Sequence, residues 1–429
     1  MPIRDLFKPM LRLGTGELVS RVANIAIVIL LGRRYGVAVL GAYALAQTMG
    51  QYAQPLIDFG TRHVGARLIA VYPQFARVVI GTVQRRRLTM AMAIVPLMLF
   101  YSAGAQLPWE LKLFLFAFSA TGALYVASLE WAAWGREELH VVGLAKAIVP
   151  ASILVLVLVS DSPGGRVLWW AVVGNAGGFL LQAGFFWLYW IKRLPQANTA
   201  GVPCAVSDSL AWRRTRTMGL AWLCNLAFNS IDTLMLGLMT DVKQVGLYNA
   251  AYRILNQVLA TYYVLTQAIY PRFARQTSRE RVEMMHLRIL GPIVLCGIVI
   301  ACLVSLFRRP ILLLLFGDGF IAASSLLILL AWSIPLDFMT SYLSNAFIAW
   351  GMERKVLLST GMAAATNVVL NLALIPRFGA RGAAINTLLS YVILLAALFS
   401  VSRGVELANK RRHRPEQILR STGENLPQY

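Results

Sequence analysis

Glu17, Arg21 and Asn24 follow one another at intervals of four and three in an otherwise apolar stretch. A 3.6-residue helical period stacks such positions on one face. The same spacing returns at Asn225, Asn229 and Asp232, and again at Asn249, Arg253 and Asn256, with Gln257 beside the last. A guanidinium in such a stripe offers a planar fork of donors that fits phosphate oxygens, and the contact strengthens where water is excluded. Glu17 and Asp232 are in turn candidate carriers of a proton or sodium ion. One charge at mid-bilayer depth costs about 2.5–3.5 kcal/mol on insertion scales, so polar groups inside apolar runs carry information.

Each candidate has a plainer reading. Arg253 has no acid three or four residues away on either side, which favours a functional role; a structural pairing with Asp232 is the alternative. Glu17 and Arg21 form a favourable i, i+4 pair that also fits simple stabilisation near the headgroups. Lys146, after "HVVGLA", fits snorkelling as well as ligand binding. Asp58 and Glu130 fall near the ends of apolar runs, where a solvated carboxylate is expected, and Asp337 is a weaker case. Asn367 and Asn371, four apart, fit hydrogen bonding between helices. No Gly-x-x-x-x-Gly-Lys-Ser/Thr loop, His-Glu-x-x-His or Gly-x-Ser-x-Gly motif occurs, and the cysteines and histidines lack metal-ligand spacing. The expectation is therefore no nucleotide hydrolysis, no catalytic constellation, and neither metal nor other cofactor.

The elements that carry these residues follow from composition. With 58% hydrophobic and 14% charged residues, the chain departs from the quarter or so of charged residues usual in soluble domains. Its apolar runs approach the ~20 residues needed to cross ~30 Å of hydrocarbon. Six passes are predicted near 13–33, 37–60, 88–105, 112–134, 140–160 and 166–191. Six more follow near 217–239, 245–270, 287–306, 321–350, 356–375 and 381–402, with a short segment around Ile311 as a helix end or re-entrant piece. The start resembles a retained first helix rather than a cleaved signal. If the N-terminus is cytoplasmic, alternate loops hold 28 Lys and Arg on the inner side against 9 outside, which places both termini in the cytoplasm. That bias also accounts for the +21 net charge without nucleic acid as a partner.

The stretch "LGRRYGVAVLGAY" from Leu31 is echoed 205 positions later by "LGLMTDVKQVGLY". Asn24, Gly32, Gly41 and Tyr43 match Asn229, Gly237, Gly246 and Tyr248 at that offset. Because six passes are an even number, both halves enter the membrane in the same sense, a parallel repeat about an axis along the membrane normal. The expected fold is thus an all-α polytopic membrane protein, with about twelve transmembrane helices in two six-helix bundles around a central cleft. The N-terminal lobe is placed at 1–204 and the C-terminal lobe, with a basic tail, at 205–429.

The segments "LGRRYGVAVLGAYALAQTMGQYAQPLIDFGTRHVGAR", "NSIDTLMLGLMTDVKQVGLYNAAYRILNQV" and "AWGMERKVLLSTGMAAATNVVLNLALIPRFGARGAAINTLLSYV" resemble polysaccharide-unit (O-antigen type) flippases of the multidrug/oligosaccharidyl-lipid/polysaccharide exporter superfamily. The resemblance implies a V-shaped pair of bundles in the bacterial cytoplasmic membrane. It further implies that an undecaprenyl-pyrophosphate-linked oligosaccharide is turned from the cytoplasmic to the periplasmic leaflet. Carried over, Arg21 and Arg253 would receive the pyrophosphate, with Lys146 as a third cation. Glu17, Asn24, Asn225, Asn229, Asp232, Asn249 and Asn256 would line the cavity or couple H+ or Na+. The partners implied are membrane lipids, a polysaccharide polymerase and glycosyltransferases. Related lipid II carriers have two further helices, and the short chain past Ser402 favours a polysaccharide unit. A cation-coupled multidrug antiporter using Asp232 and Glu17, and a membrane polysaccharide polymerase or ligase, stay as alternatives.

Overall fold

A computed structural model of the chain describes residues 3–105, 107–160, 164–190, 212–274 and 287–422. The lobe boundary expected at 204/205, Cys204 and His286 lie outside the described residues. The described chain is almost entirely helical, as an apolar sequence must be when lipid offers its backbone no hydrogen-bond partners. Helix α1 (Ile3–Asp58) illustrates the constraint. Its apolar portion, Gly16–Asp58, is 43 residues long. At 1.5 Å per residue that is roughly twice the ~30 Å hydrocarbon thickness. The helix is interrupted once, at Gly36 (φ 82°, ψ −175°), a backbone conformation that favours a residue without Cβ. Beyond it the chain returns alongside itself, since the Gln47 amide donates to Asn24 Oδ1 at 3.4 Å. The passes predicted at 13–33 and 37–60 are these two limbs.

Helices α2 (Thr61–Val71), α3 (Ala76–Gly104), α4 (Trp109–Thr121), α5 (Glu130–Gly135), α6 (Leu139–Val159) and α7 (Val167–Trp190) follow. Then come α8 (Trp212–Met239), α9 (Val242–Ala274), α10 (Leu287–Leu306), α11 (Arg308–Phe316), α12 (Ser324–Ala331), α13 (Ile334–Ala349), α14 (Glu353–Phe378) and α15 (Ala380–Thr422). Among the described residues seven helices are long and apolar enough to span, or nine if two bent pairs each count as one span. Large side chains left outside, such as Phe100, Leu188 and Leu358, are apolar, as lipid contact permits. The segment near Ile311 is the separate short helix α11, with Arg308 donating to the Ser305 carbonyl.

Two compact units emerge, residues 1–249 with 312–322, and residues 250–311 with 323–429. They are units of packing and need not follow a duplication, so the division at 204/205 stays a proposal. Within the first unit the echoed sequence acquires a structural counterpart. Gly41 packs so closely on Val242 that a Cβ would enter the Val242 carbonyl oxygen, and Gly246 packs in the same way on the Val37 carbonyl. Val37 and Val242 are themselves 205 apart. Residue i of one copy thus meets j of the other while j meets i, the signature of a local two-fold contact. The second hairpin turns at Asp241, whose Oδ1 accepts from the Gln244 amide at 2.8 Å, where the first uses Gly36.

The predicted pass 112–134 is not one helix. Between α4 and α5 the chain tightens into a 3₁₀ segment, Gly122–Ala127, and then extends at Ser128. Backbone released in this way must find partners if it lies at membrane depth. Neighbouring α3 supplies them: Gln84 Nε2 donates to the Val126 carbonyl at 2.6 Å and Arg87 Nη1 to the Ser128 carbonyl at 3.2 Å. Arg87 also pairs with Asp58, both side chains fully buried. Its guanidinium lies 5.3 Å from the Tyr125 ring centroid and 5.5 Å from that of Trp131. Asp58 in turn caps α2 by accepting from the Arg62 backbone amide at 3.1 Å. The end-of-run position predicted a solvated Asp58; instead Arg87 covers it. An apolar core including Leu68, Val83, Trp131, Phe186 and Trp190 encloses this corner.

In the second unit, Asn371 Nδ2 donates to Asn367 Oδ1 at 2.9 Å, and Asn386 Nδ2, on α15, donates to the Asn367 carbonyl at 2.8 Å. The link from α14 to α15 therefore runs through the Asn367 backbone carbonyl, while the two side chains that their spacing singled out bond to each other within α14. Tyr262 stacks on Phe338 with centroids 3.8 Å apart, its hydroxyl donating to the Phe338 carbonyl at 3.0 Å.

Candidate functional site

The limbs of α1, the broken span, α6 and α7 enclose a cavity of about 380 Å³ in the first unit. Its lining is more polar than apolar, the reverse of an ordinary ligand pocket. Three backbone elements make this possible. Gly50 and Gly122 allow the second limb and the 3₁₀ segment to approach closely, a Cβ on Gly122 meeting the Gly50 carbonyl at 3.2 Å. Pro150 lies inside α6 on the cavity wall, where it removes a backbone donor. The irregular span presents Tyr125, Ser128 and Glu130 to the space.

Charges gather at one end. Glu17 accepts from Arg21 Nε at 3.3 Å through Oε1, and from Lys146 Nζ at 3.0 Å through Oε2. Lys146 also lies 3.9 Å from Glu130 Oε1 and 6.0 Å from the Trp134 ring centroid. Glu17 thus joins Arg21, its i, i+4 neighbour, to Lys146 on another helix, a link that side-chain periodicity could not supply. The ammonium of Lys146 turns to these acids on the cavity wall instead of snorkelling, and Glu130 is a cavity residue rather than a solvated helix end.

Of the residues singled out from sequence, the structure brings Glu17, Arg21, Asn24 and Lys146 together. Asn225, Asn229, Asp232 and Asn249 lie elsewhere in the first unit. Asn229 Nδ2 donates back to the Asn225 carbonyl at 2.7 Å, while buried Asp232 accepts from the Tyr248 hydroxyl at 2.8 Å. Asn249 Nδ2 is 3.5 Å from Thr233 Oγ1. Arg253 and Asn256 are half-buried on α9 within the second unit. Among the described residues no three His, Cys, Asp or Glu converge as metal ligands would.

Sequence reasoning passed over two further stripes on the cavity. Gln47, Gln51 and Gln54 repeat the four-then-three spacing of Glu17, Arg21 and Asn24, and Asn175 and Gln182 stand seven apart on α7. It also passed over Arg62. This residue lines both the polar cavity and a second hollow of about 460 Å³ formed with His63, Met218, Ala221 and Trp222. Its guanidinium carbon lies 5.9 Å from the Trp134 ring centroid and 5.3 Å from that of Trp222, within cation–π range of both.

A helical, multi-pass membrane fold with a charged, amide-lined hollow is an architecture found among transporters. An inward-facing multidrug resistance MATE family transporter of the MOP superfamily matches at TM-score 0.70 and 17% identity, over 94% of this chain and 99% of that one. The lipid II flippase MurJ, in an inward closed conformation, matches at TM-score 0.68 and 14% identity, over 97% and 93%. The chain belongs to the family described as "Polysaccharide biosynthesis protein", whose model matches residues 6–277. Among curated relatives, the probable low-salt glycan biosynthesis flippase Agl15 of Haloferax volcanii is 24% identical over 169 residues, 39% of this chain and 36% of that protein. The probable flippase AglR of the same organism is 27% identical over 184 residues, 40% and 38%. The matched stretch therefore spans little more than a third of each relative's length.

Proposed function

We propose that this protein is a flippase that carries an undecaprenyl-pyrophosphate-linked oligosaccharide from the inner to the outer leaflet of a bacterial cytoplasmic membrane by alternating access. The observation that carries the reading is the charged, amide-lined cavity of the first unit, in a chain of a polysaccharide biosynthesis family. Arg21 and Lys146 share Glu17, so an arriving pyrophosphate competes with that carboxylate for both cations. Glu17 released from them is a seat for a proton or sodium ion. Arg253 supplies a cationic contact on the second unit, and the lipid tail stays in the bilayer throughout. With both termini cytoplasmic, the inside-negative potential drives an anionic headgroup outward with about 2.3 kcal/mol per charge per 100 mV. The protein acts as a carrier and not an enzyme; glycosyltransferases make its cargo and a polymerase consumes it.

The test is complementation of a flippase-deficient bacterium. Lys146→Gln and Arg253→Ala are expected to abolish surface polysaccharide while the protein still accumulates folded in the membrane. Arg253→Lys, which keeps the charge but loses the fork, restores export only in part. Normal export by Arg253→Ala at native expression overturns its assignment. Asp232, buried against Tyr248, is the observation that favours the rival antiporter. Drug efflux lost in Asp232→Asn but unchanged in Arg253→Ala decides for that rival.

A further inference from the structure

Resting on the flippase reading, we infer that the first-unit cavity is a glycosyl-phosphate subsite in which side-chain amides read sugar hydroxyls and Arg62 holds the adjoining phosphate. The amides are the first line of argument. Asn175 and Gln182 are 7% and 5% exposed and line the cavity. Each is anchored through its nitrogen, Asn175 to Thr121 Oγ1 at 2.6 Å and Gln182 to the Ala145 carbonyl at 2.8 Å. Neither carbonyl oxygen has a donor among the described residues. Neither oxygen is among the buried polar atoms left without a partner, so each is open to the cavity, where a ligand or water can complete it. Across the cavity Gln51 and Gln54 bring further donors and acceptors, and Phe118 and Phe179 bring apolar rings. Neutral groups that both donate and accept, beside ring faces, match the alternating hydroxyl and C–H surfaces of a sugar.

Arg62 is the second line. Arg21 and Lys146 are paired with Glu17, whereas the guanidinium of Arg62 has neither a hydrogen-bond nor an ion-pair partner among the described residues and meets Glu130 only through longer-range charge. Its place is nonetheless set. The backbone amide is held by Asp58, and the side chain has indoles of Trp134 and Trp222 within cation–π range. A five-donor fork positioned in advance, without an acceptor, on the wall shared by both hollows suits a phosphate bound to the sugar inside. A lipophilic cation fits poorly, because Glu17 is paired with Arg21 and Lys146, and Glu130, whose Oε1 has no hydrogen-bond partner, already has the Lys146 ammonium 3.9 Å away.

Full-length protein in nanodiscs is titrated with farnesyl-diphosphoryl glucose, galactose and N-acetylglucosamine, with farnesyl diphosphate, and with glucose 1-phosphate. Tryptophan fluorescence follows binding, since Trp134 and Trp222 flank Arg62. At least one sugar-bearing probe is expected to bind about tenfold more tightly than farnesyl diphosphate, the worth of one or two hydrogen bonds. Gln182→Leu, and independently the exposed Gln51→Leu, erase that advantage while leaving farnesyl diphosphate binding unchanged. Arg62→Gln weakens every phosphate probe. The subsite is overturned if no sugar improves binding, or if Gln51→Leu and Gln182→Leu both keep the preference, the cavity then holding water alone. Equal affinity for glucose 1-phosphate keeps the subsite and overturns its lipid-carried occupant. Sugar-dependent binding in a protein that cannot complement export leaves the subsite standing and removes the flippase; export without any sugar preference does the opposite.

Discussion

Arg87→Met is expected to destabilise the protein by about 3–5 kcal/mol, the range for stripping one partner from a buried ion pair. Several contacts fail together. The Asp58 carboxylate, fully buried, loses its countercharge, and the Ser128 carbonyl loses its donor at the point where the span is no longer helical. Tyr125 and Trp131 lose the cation they flank. Unfolding in detergent micelles, followed by circular dichroism, measures the loss. The double variant Asp58→Asn with Arg87→Gln is expected to recover most of it, because asparagine still caps α2 and no lone charge remains. A single variant as stable as the parent would mean that water reaches this corner and the pair contributes nothing.

Valine at Gly41 or Gly246 is the second large effect. Overpacking usually costs about 1–3 kcal/mol when neighbours can shift, and here the obstacle is main chain that cannot turn aside. A side chain at either position strikes the carbonyl of Val242 or Val37, forcing the two hairpins apart along their whole contact. The expected outcome is loss of monodisperse protein on size exclusion. Gly81→Val and Gly177→Val, at positions with open space around a Cβ, serve as controls and leave the elution profile intact. Normal behaviour of Gly41→Val and Gly246→Val would show that the hairpins are not held at this crossing.

Which parts of this molecule could be read in advance follows from what apolar patterning encodes. Run length located both limbs of α1, because the limit set by lipid thickness forces a turn somewhere near residue 35 whatever the sequence does there. It could not locate the break after Thr121. Hydropathy stays high across "TGALYVAS", and only hydrogen bonding by Gln84 and Arg87 from another helix makes the interruption tolerable. Periodicity grouped Glu17, Arg21 and Asn24 on one face, but a face has no partner until the bundle forms; the link from Glu17 through Lys146 to Glu130 is tertiary. Gln47, Gln51 and Gln54 had the same spacing but no charged member, whereas each stripe that stood out carries one, in Glu17 and Arg21, Asp232 or Arg253. Arg62 sits among basic loop residues that the charge bias alone already explains.

The interrupted span has a consequence for how the protein is made. A nascent segment leaving the ribosome with the carbonyls of Val126 and Ser128 unsatisfied is a poor substrate for release into lipid by itself. Both side chains that satisfy them belong to α3, which precedes the break in the chain and is therefore synthesised before it. The order of translation therefore places the chaperone for this segment within the same polypeptide, one helix ahead of the client.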